Sequence, residues 1–109
     1  SEPALMKLDR LLPPTWSRAN PVDIIGDADP ARYAGALEAL LADDANDAVL
    51  VLQVPTALAS AEATAEAVVE TVKRDRAKAF RRKPVFAVWL GASEATARVF
   101  ESAGLPHYL

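Results

Sequence analysis

The sequence predicts an α/β domain built on a parallel sheet with helices on both faces. Three observations predict it. Apolar residues switch in blocks between a helical period and short continuous runs. Two of those runs, "AVLVLQV" (48–54) and "PVFAVWL" (84–90), have the Val- and Leu-rich character of strands covered on both sides. The connections are short and marked by Pro, Gly or Asp, which suits helices and strands that alternate in a simple right-handed winding.

Each element has its own signal. Leu5, Leu8 and Leu12 share one face of a first helix, which Pro13 and Pro14 end. Residues 22–25 read as a brief strand. Asp29 followed by Pro30 is a helix start, with a carboxylate at the N-cap and proline at the first helical position, and Tyr33, Leu37, Leu40 and Leu41 then form a stripe. The polar turn "DDAND" ends that helix, residues 48–54 form the next strand and Pro55 stops it. A longer helix is expected over 61–79, with Ala65, Val68, Val69 and Val72 inward and Glu62, Glu66, Glu70, Lys73 and Arg74 outward. After the strand at 84–90, Gly91 turns the chain into a helix over 93–103 whose inner residues are Ala95, Val99 and Phe100 and whose end Gly104 caps. "LPHYL" begins a last strand. A sheet whose final strand coincides with the end of the sequence lacks a covering helix there, so the chain reads as one partial domain, 1–109, of a larger protein.

Composition narrows the function. The 109 residues contain no cysteine, which removes disulfides and thiolate metal sites and fits a reducing, cytoplasmic setting. No apolar run reaches the roughly 20 residues of a membrane span, and "SEPALMKLDR" lacks the order of a signal peptide, so neither membrane nor export is expected. A net charge of −3 with a pI near 5.1 argues against nucleic acid as the partner.

The most informative stretch is "RANPVDIIGDADPARY" (18–33). An apolar run that stops at Gly26 and passes at once into a helix leaves backbone N–H groups unpaired at one place, and such places bind anions. Gly26, Asp27 and Ala28 would present those groups near the positive end of the helix, with Gly26 supplying backbone freedom and room for a bound group. The competing reading is a tight turn whose aspartates only cap the helix. Neither G-x-G-x-x-G nor G-x-x-x-x-G-K-[ST] occurs in the chain.

The segment "LLPPTWSRANPVDIIGDADPARYAGALEALLADDANDAVLVLQVPTALA", continued by "KPVFAVWLGASEATARVFESAGLPHY", resembles the NDP-forming acyl-CoA synthetases, the ADP-forming acetyl-CoA synthetases in particular. More distantly it is similar to the carboxy-terminal domain of the succinyl-CoA synthetase β chain. The resemblance implies a three-layer flavodoxin-like domain within an acid–thiol ligase. Such an enzyme converts acyl-CoA, ADP and phosphate to acid, ATP and CoA through a phosphohistidine held in another domain. It implies that Gly26, Asp27 and Ala28 contact the phosphohistidine loop, and that Asn20 and Asp23 shape the approach without doing chemistry. CoA, ATP or ADP, and magnesium are expected for the full protein, with no cofactor or metal bound by this domain alone and no catalytic residue in it. The partners implied are the other domains or subunits of the synthetase, and an exposed edge strand leaves a homo-oligomer open. Asp27 and Asp29 put negative charge beside the proposed phosphate site, so Asp27 either fixes the loop by accepting N–H bonds or meets the transferring group through a metal. The alternative function is a non-catalytic, ligase-like module of a GNAT-type protein lysine acetyltransferase; a free-standing flavodoxin-like regulator is a third.

Other features read as structural. His107, the one histidine, belongs to the last strand; Trp16 and Trp89 cover core; and the basic stretch at 73–83 is a solvated helix end. No serine lies in a G-x-S-x-G context.

Overall fold

The structure, a computed structural model, describes residues 1–56, 60–78 and 82–108. Helices α1 (Glu2–Leu11), α2 (Pro30–Leu41), α3 (Ala61–Lys78) and α4 (Glu94–Ser102) alternate with strands β1 (Val49–Gln53), β2 (Val85–Trp89) and β3 (His107–Tyr108) after the first two helices. The ends of these elements follow local chemistry. The Asp29 carboxylate accepts the Arg32 amide at 2.8 Å, and Pro30 occupies the position where an N–H would have no partner. The Ser60 hydroxyl accepts the Ala63 amide at 3.2 Å at the start of α3. At the end of α4, Leu105 N–H donates to the Phe100 carbonyl and Gly104 N–H to that of Glu101, both at 3.1 Å. With Gly104 at φ +65°, this is the Schellman pattern that the glycine announces. Lys83 reaches across from the start of β2 to close α2, its Nζ donating to the carbonyls of Leu40 (3.1 Å) and Asp43 (2.5 Å).

The three strands are parallel, in the order β1-β2-β3, with Val49 opposite Val85 and Gln53 opposite Trp89. The order β1-β2-β3 makes both crossovers run in the same direction, so α3 and α4 come to one face of the sheet and touch each other, and α2 packs beside α3. Val49, Val51, Val85, Ala87 and Trp89 lie under these helices and meet Leu37, Leu41, Ala65, Val68, Val69, Val72 and Phe100 in one core. All four inward residues expected of α3 are in it, and the five expected outward are exposed or nearly so. A second cluster joins α1 to α2 through Leu8, Leu12, Trp16, Ala36 and Ala39.

Two features differ from expectation. Residues 22–25 pair with no strand: Val22 and Ile24 pack on the α1–α2 cluster, and Ile25 turns the chain with φ +74°. Alternation over so few residues suited either a strand or an extended lead-in, and packing against α1 decided it. The sheet is also covered on one face only by the described residues. Leu50 (64% exposed), Leu52 (55%), Phe86 and Tyr108 point to the other side, so β1 alternates buried and exposed although every residue but its last is apolar. Each such side chain forfeits about 1.5–3 kcal/mol while uncovered. Parallel sheets are ordinarily covered on both faces, and the apolar outer face is the trace of that requirement. Residues 57–59, 79–81 and 109, which include the expected end of α3 at Ala79 and part of the basic stretch, lie outside the described residues.

Candidate functional site

The carboxyl ends of the strands gather the starts of the helices. Trp89, the last residue of β2, is fully buried and donates from Nε1 to the carbonyl of Ala61, the first residue of α3, at 3.0 Å. Its ring lies 6.4 Å from that of Tyr33 in the first turn of α2. The turn that precedes α2 therefore sits at the sheet edge where open α/β folds bind ligands.

That turn is built by its own polar groups. Asp23 accepts the Ile25 amide at 2.9 Å, while the Ser17 hydroxyl accepts the Asp23 amide at 2.9 Å and donates to the Pro21 carbonyl at 2.7 Å. Asp23 is thus tied into the turn by bonds at both its amide and its carboxylate. Asn20 is exposed and precedes Pro21 through a cis peptide bond. The Ala28 amide donates to the Ile25 carbonyl at 3.2 Å, and the Ala28 methyl is buried. This corrects the expectation of a free N–H at Ala28: the turn closes on itself at that residue. Among the described residues, the amides of Gly26 and Asp29 meet no acceptor. A second correction concerns Gly26, whose φ lies outside the left-handed region; the strained residue is Ile25, a β-branched side chain at φ +74°. The role left to Gly26 is room, since a Cβ there would meet nothing within 4 Å.

Asp27 has a definite partner. Its Oδ1 accepts from Arg32 Nη1 at 2.5 Å, and the same nitrogen donates to the Ile24 carbonyl at 3.1 Å. Asp27 is thus engaged by a side chain of α2. The hydrogen bond from Arg32, then its charge, holds the Asp27 carboxyl below its ordinary value of 3.8. A depressed carboxylate contributes to stability above its unfolded value and loses that contribution as the pH falls through the folded one. The pair is therefore complete at neutral pH and is lost as the pH falls through the lowered folded value. In a carboxyl-carbon NMR titration, Asp27 should show a midpoint below 3.8 that rises in Arg32→Ala; an unmoved midpoint would rule out the pairing.

Sequence reasoning passed over Arg32. The signal was present, because an N-cap at Asp29 places residue 32 in the first turn, within reach of the loop. It also passed over Gln53, buried at the end of β1, and Thr56 just beyond; among the described residues neither Gln53 Oε1 nor the Thr56 hydroxyl has a partner. His107 is structural as expected: Nδ1 lies 3.0 Å from the Leu105 carbonyl and the ring stacks on Phe100. Trp16 caps the α1 cluster, donating to Asp9 at 3.0 Å. Among the described residues, no three His, Cys, Asp or Glu side chains come together, and no helix is long and apolar enough to cross a membrane.

A sequence model of the Ligase-CoA domain matches residues 3–106. The chain belongs to the Ligase-CoA domain family. Relatives of this Ligase-CoA domain include the ADP-forming 4-hydroxybutyrate–CoA ligase of Nitrosopumilus maritimus, 29% identical over 104 residues, covering 94% of the chain and 14% of that protein. The subunit alpha of the ADP-forming acetate–CoA ligase I of Pyrococcus furiosus is 32% identical over 99 residues, or 89% of the chain and 21% of the subunit. Among solved structures, a dinucleotide forming acetyl-coenzyme A synthetase 1 of Ca. Korarchaeum cryptofilum, in complex with phosphate and ADP, superposes with a TM-score of 0.87 at 26% identity. It covers 99% of the Ligase-CoA domain chain and 23% of the synthetase. The chain thus spans less than a quarter of the length of each of these relatives.

Proposed function

We propose that this domain works within an ADP-forming acyl-CoA ligase, where the start of α2 steadies a phosphorylated histidine carried by another part of the parent protein. The carrying observation is the family match over residues 3–106, which encloses a helix start whose Gly26 and Asp29 amides are unclaimed and whose approach over Gly26 is open. In the parent, acyl-CoA and phosphate give acyl phosphate and CoA. The phosphoryl group then passes to the histidine, releasing the acid, and from there to ADP. This chain's residues take part by charge: backbone N–H groups and the positive end of α2 face the phosphoryl oxygens, a placement worth about 0.3–1 kcal/mol at an exposed helix end and more once water is excluded. Gly26 gives the loop room, Asp27 and Ala28 hold the turn, and Asn20 and Asp23 set its entry.

CoA, nucleotide and magnesium belong to other parts of the parent. The bare sheet face of Leu50, Leu52 and Phe86 supports the same reading, because the relatives are several times longer and a further segment of the same polypeptide would cover it. A cytoplasmic setting is compatible with these assignments. The acetyltransferase-module alternative gains nothing from the relatives named above, all ligases or synthetases, and is not proposed. The test is to incubate the full-length protein with γ-labelled ATP and magnesium. Acid-labile phosphate on the protein, discharged to ATP by ADP, is expected; a protein that takes no label would overturn the proposal.

A further inference from the structure

We propose that Arg32 is the positioning residue of this site, neutralising Asp27 so that an acidic turn can receive a phosphoryl group. The inference rests on the ligase reading and extends it to a residue that neither the motif nor the comparisons single out.

The difficulty it resolves is electrostatic. Asp27 and Asp29 flank the unclaimed amides, and a phosphoryl group brings about two further negative charges. Asp29 is committed to the Arg32 amide as N-cap. Asp27 is 57% exposed at its side chain and would otherwise be free to repel an approaching anion or to compete for the same N–H donors. Arg32 removes that competition. Its side chain is only 21% exposed, and one guanidinium nitrogen holds both the Asp27 carboxylate and the Ile24 carbonyl. The second bond braces the residue before Ile25, whose left-handed backbone turns the loop outward. One side chain therefore balances the charge and fixes the turn. A lysine would carry the same charge on a compact ammonium whose reach and direction differ from those of the guanidinium nitrogen seen here.

The experiment uses the full-length protein and follows the rate at which label passes from γ-labelled ATP to the protein, with melting temperature measured in parallel. Arg32→Ala should slow labelling about tenfold, the order expected for one uncompensated charge near a partly screened site. Arg32→Lys should recover part of that loss. Removing both charges, in Asp27→Asn with Arg32→Ala, should restore the rate to within about threefold of the unaltered protein, a rescue that a merely bracing role would not give. An unchanged rate in Arg32→Ala overturns the proposal. So does a double variant as slow as Arg32→Ala at equal melting temperature, which would assign Arg32 a direct contact with the phosphoryl group instead. If Arg32→Ala does not fold, the comparison of Arg32→Lys with the double variant decides between the same outcomes. Failure of the unaltered protein to take label refutes the ligase reading itself and is recognised before any variant is made.

Discussion

Replacing Trp89 by alanine is expected to destabilise the domain by about 3–5 kcal/mol, the range for removing a buried aromatic side chain without refilling its space. Trp89 has no exposed surface and stacks edge-on to Phe100 with ring centroids 4.8 Å apart. It also ties three elements together, since its ring borders Tyr33 of α2 while Nε1 holds the Ala61 carbonyl at the head of α3. A domain of this size gains about 5–15 kcal/mol in all from folding, so the loss is a large part of the total and should lower the melting temperature by more than about 10 °C. Trp89→Phe refills most of the volume and loses only the Nε1 bond to the Ala61 carbonyl, at about 0.5–1.5 kcal/mol. Thermal unfolding monitored by circular dichroism distinguishes the two. A Trp89→Ala protein that melts within a few degrees of the unaltered one would show that the tryptophan is not the hub described.

Much of this hub could be read from the chain. Ala65, Val68, Val69 and Val72 repeat at helical spacing, and the helix they predict buries all four. Asp29-Pro30 and Gly104 mark helix ends by mechanisms confined to a few residues, so those ends were legible too. What the sequence hid depended on distant contacts. The run at 48–54 is apolar throughout, and its composition could not say that only one face would meet a helix among these residues; the crossover directions decided that. The four residues before Gly26 had too little periodicity to distinguish a ladder strand from an extended segment laid on α1. Ile25 is the instructive case. A β-branched residue beside a glycine invites the assumption that the glycine takes the unusual backbone, yet Ile25 takes it, held by Asp23 on one side and the Ala28 amide on the other. The site was legible as a helix start with spare donors. Its count of donors was not, because the Ala28 amide is consumed inside the turn, and neither was the Asp27–Arg32 pair, which needs the loop's curvature to bring the two side chains together.

The claim that an outside phosphorylated group approaches the turn before α2 is tested most directly by Gly26→Val in the full-length protein. A Cβ at this position meets nothing within 4 Å, and φ there lies outside the left-handed region, so stability should change by no more than about 1 kcal/mol. Side-chain bulk over the amides should nevertheless hold the incoming group away, and an ångström of displacement can cost about 100-fold in rate. ATP formation from acyl-CoA, ADP and phosphate falling about 100-fold while the variant stays folded is the predicted result. Full activity in the folded variant would contradict the account, because it would mean that nothing docks where Gly26 leaves room.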